Sequence, residues 1–182
     1  MRLFIAVAAD DEVKAAAAET VARLRRATTG AYRWVDPRDM HTTLRFFGEM
    51  TEDKLPEVEA LMRAAAAATP PFTGEYGRVG AFDTVEDARI VWIGWSRGAE
   101  NLEKLAGLVG RDDPRPYAPH LTLGRRRKEA PAPEIIAALA AEPPLALERP
   151  VTKLSLYASR PAPFGLAYEI LAEAELGVRP DA

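Results

Sequence analysis

His41-Thr42-Thr43-Leu44-Arg45-Phe46-Phe47-Gly48 opens with a pattern, H-x-T-L, that returns downstream as His120-Leu121-Thr122-Leu123-Gly124-Arg125. The chain has 182 residues and 2 histidines, and each histidine begins one copy of the tetrapeptide. If each copy is a β-strand, successive side chains point to opposite faces and residues two apart share one. His41, Thr43 and Arg45 are then expected on one face of the first strand, with Thr42, Leu44 and Phe46 on the other, where they can enter a core. The second strand repeats the arrangement, with His120 and Thr122 against Leu121 and Leu123. An imidazole, with an unperturbed pKa of ~6.5, can give or take a proton near neutrality, and a threonine hydroxyl can donate to an anionic oxygen. Two such pairs, brought face to face, make an acid and a base around one anion.

Around these motifs the chain resembles the two-histidine phosphoesterase superfamily, and within it the RNA 2′,3′-cyclic phosphodiesterase family, also called the 2′-5′ RNA ligases. The resemblance is carried by the two H-x-T-L copies, Phe46-Phe47-Gly48 after the first, Pro119 before the second and Arg125 after it. It extends from Arg2-Leu3-Phe4-Ile5-Ala6 to Tyr157-Ala158-Ser159-Arg160 and Tyr168, almost the whole chain. It implies an α+β fold of two lobes related by a pseudo-twofold, each an antiparallel-rich sheet with helices outside, with the motif strands lining a central cleft. The reaction implied is hydrolysis of 2′,3′-cyclic phosphates on RNA ends or nucleotides to 2′-phosphomonoesters. The resemblance assigns His41 as proton donor, His120 as proton acceptor and Arg125 as a phosphate contact. Thr43 and Thr122 are placed to hold non-bridging phosphate oxygens. Two alternatives remain open: the same site run in reverse as a 2′-5′ ligase, and a nucleotide-binding module without turnover.

Length and composition suit one soluble domain, residues 1–182, since 48% hydrophobic and 28% charged residues are ordinary globular values. No apolar run approaches the ~20 residues of a membrane helix, and the apolar start is cut short by Asp10, Asp11 and Glu12. The absence of cysteine excludes disulfides and thiolate metal sites. A cytoplasmic monomer is the expectation. A net charge of −3 is not the basic footprint of a protein that coats nucleic acid, so any RNA contact must be local. The densest basic run, Arg125-Arg126-Arg127-Lys128, stands directly after the second motif, as either a phosphate contact or a solvated strand end. Neither motif carries a carboxylate or cysteine at ligand spacing, and no P-loop is present, so no metal or other cofactor is expected.

Taken in order, the apolar residues 3–8 predict a strand ended by Asp10 as a helix cap. A helix to about Thr28 buries Val13, Ala17, Val21 and Leu24. Tyr32 to Val35 reads as a short strand and Asp36-Pro37 as a turn. A second helix is predicted over residues 51–68, with Pro56 in its first turn. Strands over 72–82 and 89–95 follow, with Trp92 and Trp95 read as packing residues. A helix spans 99–109, and only Arg111 to Pro119 then precede His120. Here the chain departs from the family, whose members carry a longer helix and loop, so the cleft wall on that side is expected to differ in shape. A helix near 133–141 buries Ile135, Ile136 and Leu139, and strands over 151–159 and 167–176 close the chain.

Overall fold

The structure, a computed structural model, describes residues 1–28, 30–82, 87–127, 133–162 and 165–178. Residues 83–86, which lie between the strands predicted over 72–82 and 89–95, and Lys128 of the basic run lie outside them.

The first strand, β1 (Arg2–Ala8), sends Leu3, Ile5 and Val7 to one face and Phe4 and Ala6 to the other. Asp10 then accepts a hydrogen bond from the Val13 N–H at 2.9 Å, satisfying one of the free donors at the start of α1 (Asp11–Ala27). The predicted stripe of α1 is buried, with Thr20 added to it. After β2 (Tyr32–Trp34) a 3₁₀ turn capped by Asp36 leads into β3 (His41–Glu49). Residues 52–54 form a 3₁₀ turn and α2 (Leu55–Ala67) begins at Leu55, later than expected, with Pro56 in its first turn, where no N–H is lost from the ladder. The chain continues through β4 (Phe72–Phe82), β5 (Ile90–Arg97), α3 (Ala99–Leu108), β6 (His120–Arg126) and α4 (Glu134–Ala141). In α4, Ile135 and Leu139 are buried, but Ile136 is exposed, a correction to the predicted stripe. The last strands are β7 (Leu147–Val151), β8 (Lys153–Ala162) and β9 (Gly165–Glu175).

Among the described residues these strands make one nine-stranded antiparallel sheet in the order β7-β4-β5-β6-β3-β1-β8-β9, with β2 also paired to β6. The α+β class and the placing of the motif strands at the centre agree with the expectation. The two halves meet where Thr42 of β3 pairs with Leu121 of β6. Beyond that contact β6 pairs with β2 instead, through Tyr32–Arg126, Arg33–Arg125 and Trp34–Gly124, so β3 and β6 diverge.

Each half has its own core. One gathers Leu3, Ile5, Leu44, Met62, Leu105 and Leu156 under α2 and α3. The other gathers Val13, Leu24, Val91, Ile93, Leu121 and Ile135 under α1 and α4. Burying each such side chain contributes roughly 1.5–3 kcal/mol. Helix α1 thus follows β1 in the chain but packs on the opposite half. Trp95 bridges the cores, resting over Gly74 and against Tyr76 at 4.1 Å, while its indole N–H donates to the Thr42 hydroxyl at 3.1 Å. A Cβ at Gly74 would lie 2.4 Å from that indole, and one at Gly80 would lie 2.3 Å from Trp92, so these glycines seat the tryptophans. Among the described residues no helix is long and apolar enough to cross a membrane.

Candidate active site

Cross-strand partners share a face of a sheet, so the register settles which residues line the cleft. Ala8 pairs with His41, Ala6 with Thr43, and Phe4 with Phe46. Thr42 pairs with Val7 and is fully buried. On the other half, Gly94 pairs with His120 and Trp92 with Thr122, while Leu121 and Leu123 are fully buried. Continuing the Thr42–Leu121 register by one residue sets His41 across from Thr122 and Thr43 across from His120. Both His–Thr pairs therefore occupy one face, as strand alternation predicted.

Two expectations for β3 are corrected. Its register to β1 shifts between the pairs Ile5–Arg45 and Ala6–Thr43, a β-bulge that reverses the alternation. Arg45 consequently faces α3, where it donates to the Val109 carbonyl at 2.7 Å, favourably placed at a helix C-terminus, and stacks over Phe47 at 4.3 Å. Phe46, expected in the core, stands 52% exposed on the cleft face.

The two imidazoles are held alike. His41 Nδ1 lies 2.6 Å from the Asp39 carbonyl oxygen, and His120 Nδ1 lies 2.7 Å from that of Ala118. A carbonyl can only accept, so Nδ1 carries the proton and Nε2 is left free to accept one. Each ring also rests against aromatics of its own half. His41 stacks on Phe4 at 4.7 Å, and Phe4 stacks on Tyr157 at 4.8 Å, with Tyr168 edge-on to both Phe4 and His41. His120 meets Phe82 edge-on at 4.9 Å, with Trp92 at 6.4 Å.

Burial among these rings disfavours a charged imidazole. It pushes His41 down to about 4, against the pull of the Asp39 carbonyl, with His120 and Arg125 lowering it further. Burial lowers His120 as well, again opposed by its carbonyl partner and assisted by Arg125. Arg125 thus acts on both histidines. It is exposed, and among the described residues it makes no ion pair.

The rest of the basic run divides. Arg126 is tied to Asp87 at 2.5 Å, and Arg127 donates to the Gly30 carbonyl, so both serve the local structure. Trp95 is a packing residue as expected, whereas Trp92 lies on the cleft face beside His120. Phe4, Tyr157, Phe82 and Trp92 escaped sequence reasoning as wall residues because only the strand order brings them beside the histidines. The connection before β6 is fixed by Tyr117, whose hydroxyl donates to the Thr43 carbonyl at 2.8 Å.

No group of three His, Cys, Asp or Glu that could hold a metal ion occurs among the described residues. A cavity of 470 Å³ opens where β1 runs into α1, but neither histidine lines it. Its charged groups are already engaged in ion pairs, Arg149 facing Asp10 and Glu12, Lys153 bound to Glu173 at 2.8 Å and Asp11 lying 3.7 Å from Lys14. The open cleft face is the better candidate.

A family model described as the 2′-5′ RNA ligase superfamily matches residues 12–161, and the chain belongs to that family. It is 35% identical to an RNA 2′,3′-cyclic phosphodiesterase of Thermus thermophilus, over 97% of this chain and 90% of that protein. Among solved structures, TT0787 of Thermus thermophilus superposes with a TM-score of 0.81 at 30% identity, covering 97% of this chain and 98% of the other. E. coli LigT complexed with 3′-AMP superposes with a TM-score of 0.73 at 26% identity, covering 96% and 97%.

Proposed function

We propose that the protein is an RNA 2′,3′-cyclic phosphodiesterase, converting cyclic phosphates on RNA ends or nucleotides to 2′-phosphomonoesters with His41 and His120 as a metal-independent acid–base pair. The observation that carries this reading is the matched pair of imidazoles on one face, each with Nδ1 bound to a carbonyl and Nε2 free. The name of the Thermus thermophilus relative points to the same reaction. Because each half contributes one histidine, residues 1–182 are read as one bilobal unit.

In-line displacement at phosphorus puts the attacking water and the leaving oxygen on opposite sides of the ring. His120, neutral, takes a proton from water as its oxygen bonds to phosphorus. His41, protonated, gives its proton to the ribose 3′-oxygen as the phosphorus–oxygen bond breaks. Phosphate stays on the 2′-oxygen, and the two imidazoles then exchange protons with solvent to restore the starting state. Each proton transfer accelerates the reaction roughly 100- to 10,000-fold. Thr43 and Thr122 donate to the non-bridging oxygens and Arg125 balances their charge as it grows. With a 5′-hydroxyl in place of water, the same displacement would use the same acid and base to form a 2′-5′ bond.

The test is incubation with an oligonucleotide ending in a 2′,3′-cyclic phosphate, with EDTA present. Turnover to a 2′-phosphate, read by phosphorus NMR, is the expected result. Strict dependence on an added divalent ion would sink the metal-free mechanism, and a 3′-phosphate product would overturn the orientation of the substrate while leaving the acid–base pair standing.

A further inference from the structure

Two arginines stand side by side on the cleft face with no acidic partner among the described residues. Arg33 in β2 is the direct cross-strand partner of Arg125 in β6. Arg125 also pairs with Ile90 and Thr122 with Trp92, and residues 90 and 92 of one strand share a face, so Arg125 is on the side of the His–Thr pairs. The register shift between those pairs absorbs the odd spacing from Thr122 to Arg125. On β2, Tyr32 is buried with its hydroxyl donating to the Ala88 carbonyl, and Trp34 covers Gly124. Both face the core, which leaves Arg33, between them, facing the cleft.

Both arginines are exposed, and among the described residues neither side chain makes a hydrogen bond or ion pair, in contrast to those of Arg126 and Arg127. Like charges directly opposite each other on neighbouring strands are destabilising. An anion between or beside them removes that cost, and a guanidinium fork is well suited to phosphate. Arg125 stands on the strand that carries His120, whereas Arg33 stands one strand further out, on β2.

We propose that Arg33 holds a second phosphate of the substrate, the one on the 5′ side of the terminal nucleotide, while Arg125 holds the phosphate that reacts. This rests on the catalytic reading of the cleft given above and narrows the substrate class. In a cyclic-phosphate end the 5′-phosphate and the 2′,3′-phosphorus lie at opposite ends of one ribose. Two long cationic side chains whose Cβ atoms are ~5 Å apart can reach both. The preferred substrate is then an RNA end or a 5′-phosphorylated nucleotide, and a bare nucleoside cyclic phosphate leaves Arg33 unused.

Calorimetric titration with two unreactive, product-like ligands tests this: adenosine 2′-phosphate and adenosine 2′,5′-bisphosphate. The wild-type protein should bind the bisphosphate about tenfold more tightly, the scale of one charge-assisted contact. Arg33→Ala should reduce the ratio of affinities to about one, and Arg33→Lys, which keeps a point charge, should restore part of it. A wild-type ratio near one, or a ratio unaltered by Arg33→Ala, overturns the proposal. The catalytic reading fails separately. A bisphosphate preference that depends on Arg33, with no turnover of any cyclic phosphate, would keep the second phosphate site and remove the enzyme. Turnover of adenosine 2′,3′-cyclic phosphate without a bisphosphate preference would do the opposite.

Discussion

The walls behind His41 and His120 differ although the two strands repeat one motif. His41 lies flat on Phe4 within a stack that continues to Tyr157, whereas His120 meets only the edge of Phe82 and, further off, Trp92. Five residues beyond each histidine, one half presents the exposed ring of Phe46 and the other the guanidinium of Arg125. Duplication thus supplies two equivalent imidazoles, and the neighbours make them unequal. A flat apolar stack disfavours the charged form of His41, so the proposed acid role needs an anionic phosphate to favour the imidazolium.

The largest effect expected from breaking this pairing is on turnover. His41→Ala and His120→Ala should each lower kcat/KM roughly 100- to 10,000-fold, and the double variant should be little worse, because groups that act as a unit are not additive. Additive losses in steady-state rates would mean that the two halves work independently.

Acidification should reveal the asymmetry next. The pKa of His41 falls on folding from 6.5 to about 4, so its contribution to stability is fully present above pH 6.5 and is lost as pH falls toward 4. That loss is roughly 3 kcal/mol. His41→Gln should flatten this part of the profile in urea titrations between pH 7 and pH 4, and His120→Gln should also flatten it, since burial lowers that group too. An unchanged profile in the His41 variant would break the account of its wall. The pH profiles of the reaction sharpen the same point. The profile of kcat/KM reports the free enzyme and should be a bell peaking below neutrality, while that of kcat, reporting the complex, should lie at higher pH.

Exchanging the fifth residue is a smaller perturbation. Arg125→Phe gives the second motif the residue of the first and should weaken binding of a cyclic nucleotide about tenfold, the scale of one charged contact. If the Kd of a 2′-phosphate product is unchanged, Arg125 does not touch the phosphate and the asymmetry must lie elsewhere.

The motif strands, the Asp10 cap and most apolar stripes were legible in the sequence because they depend on local periodicity and on the chemistry of one or two residues. What was not legible came from long-range pairing. Strand β7 contains Pro150, which argues against a central strand, and the structure puts it at the sheet edge, where a missing donor is tolerated. Arg45 and Phe46 exchange faces through a bulge that leaves no mark in the local pattern. Phe4 reads as one more apolar residue of a buried strand, and only the neighbouring β3 and β8 turn it into the wall behind His41. Arg33 gains meaning only once β2 is known to lie against β6.

The smallest effect separates two adjacent threonines. Position two of the motif is Thr42 in one half and Leu121 in the other, and these residues are paired across the junction. Leu121 is ordinary core, but Thr42, fully buried, accepts the indole N–H of Trp95, which comes from the opposite half. Thr42→Val keeps the shape and β-branching and removes the hydroxyl, which takes from the partly buried Trp95 N–H its acceptor and from the buried Tyr76 hydroxyl a partner. The cost should be about 1–2 kcal/mol, or a fall in Tm of roughly 2–8 °C for a chain of this size. Because the side chain points away from the cleft, kcat/KM should change by less than about threefold, a small fraction of what one proton transfer contributes. Thr43→Val should behave in the opposite way, with Tm little altered and kcat/KM down about tenfold through one lost contact to the phosphate. If both variants lost stability, or both lost activity, alternation along β3 would not divide junction from active site, and the comparison of the two motifs would have to be drawn again from the bulge outward.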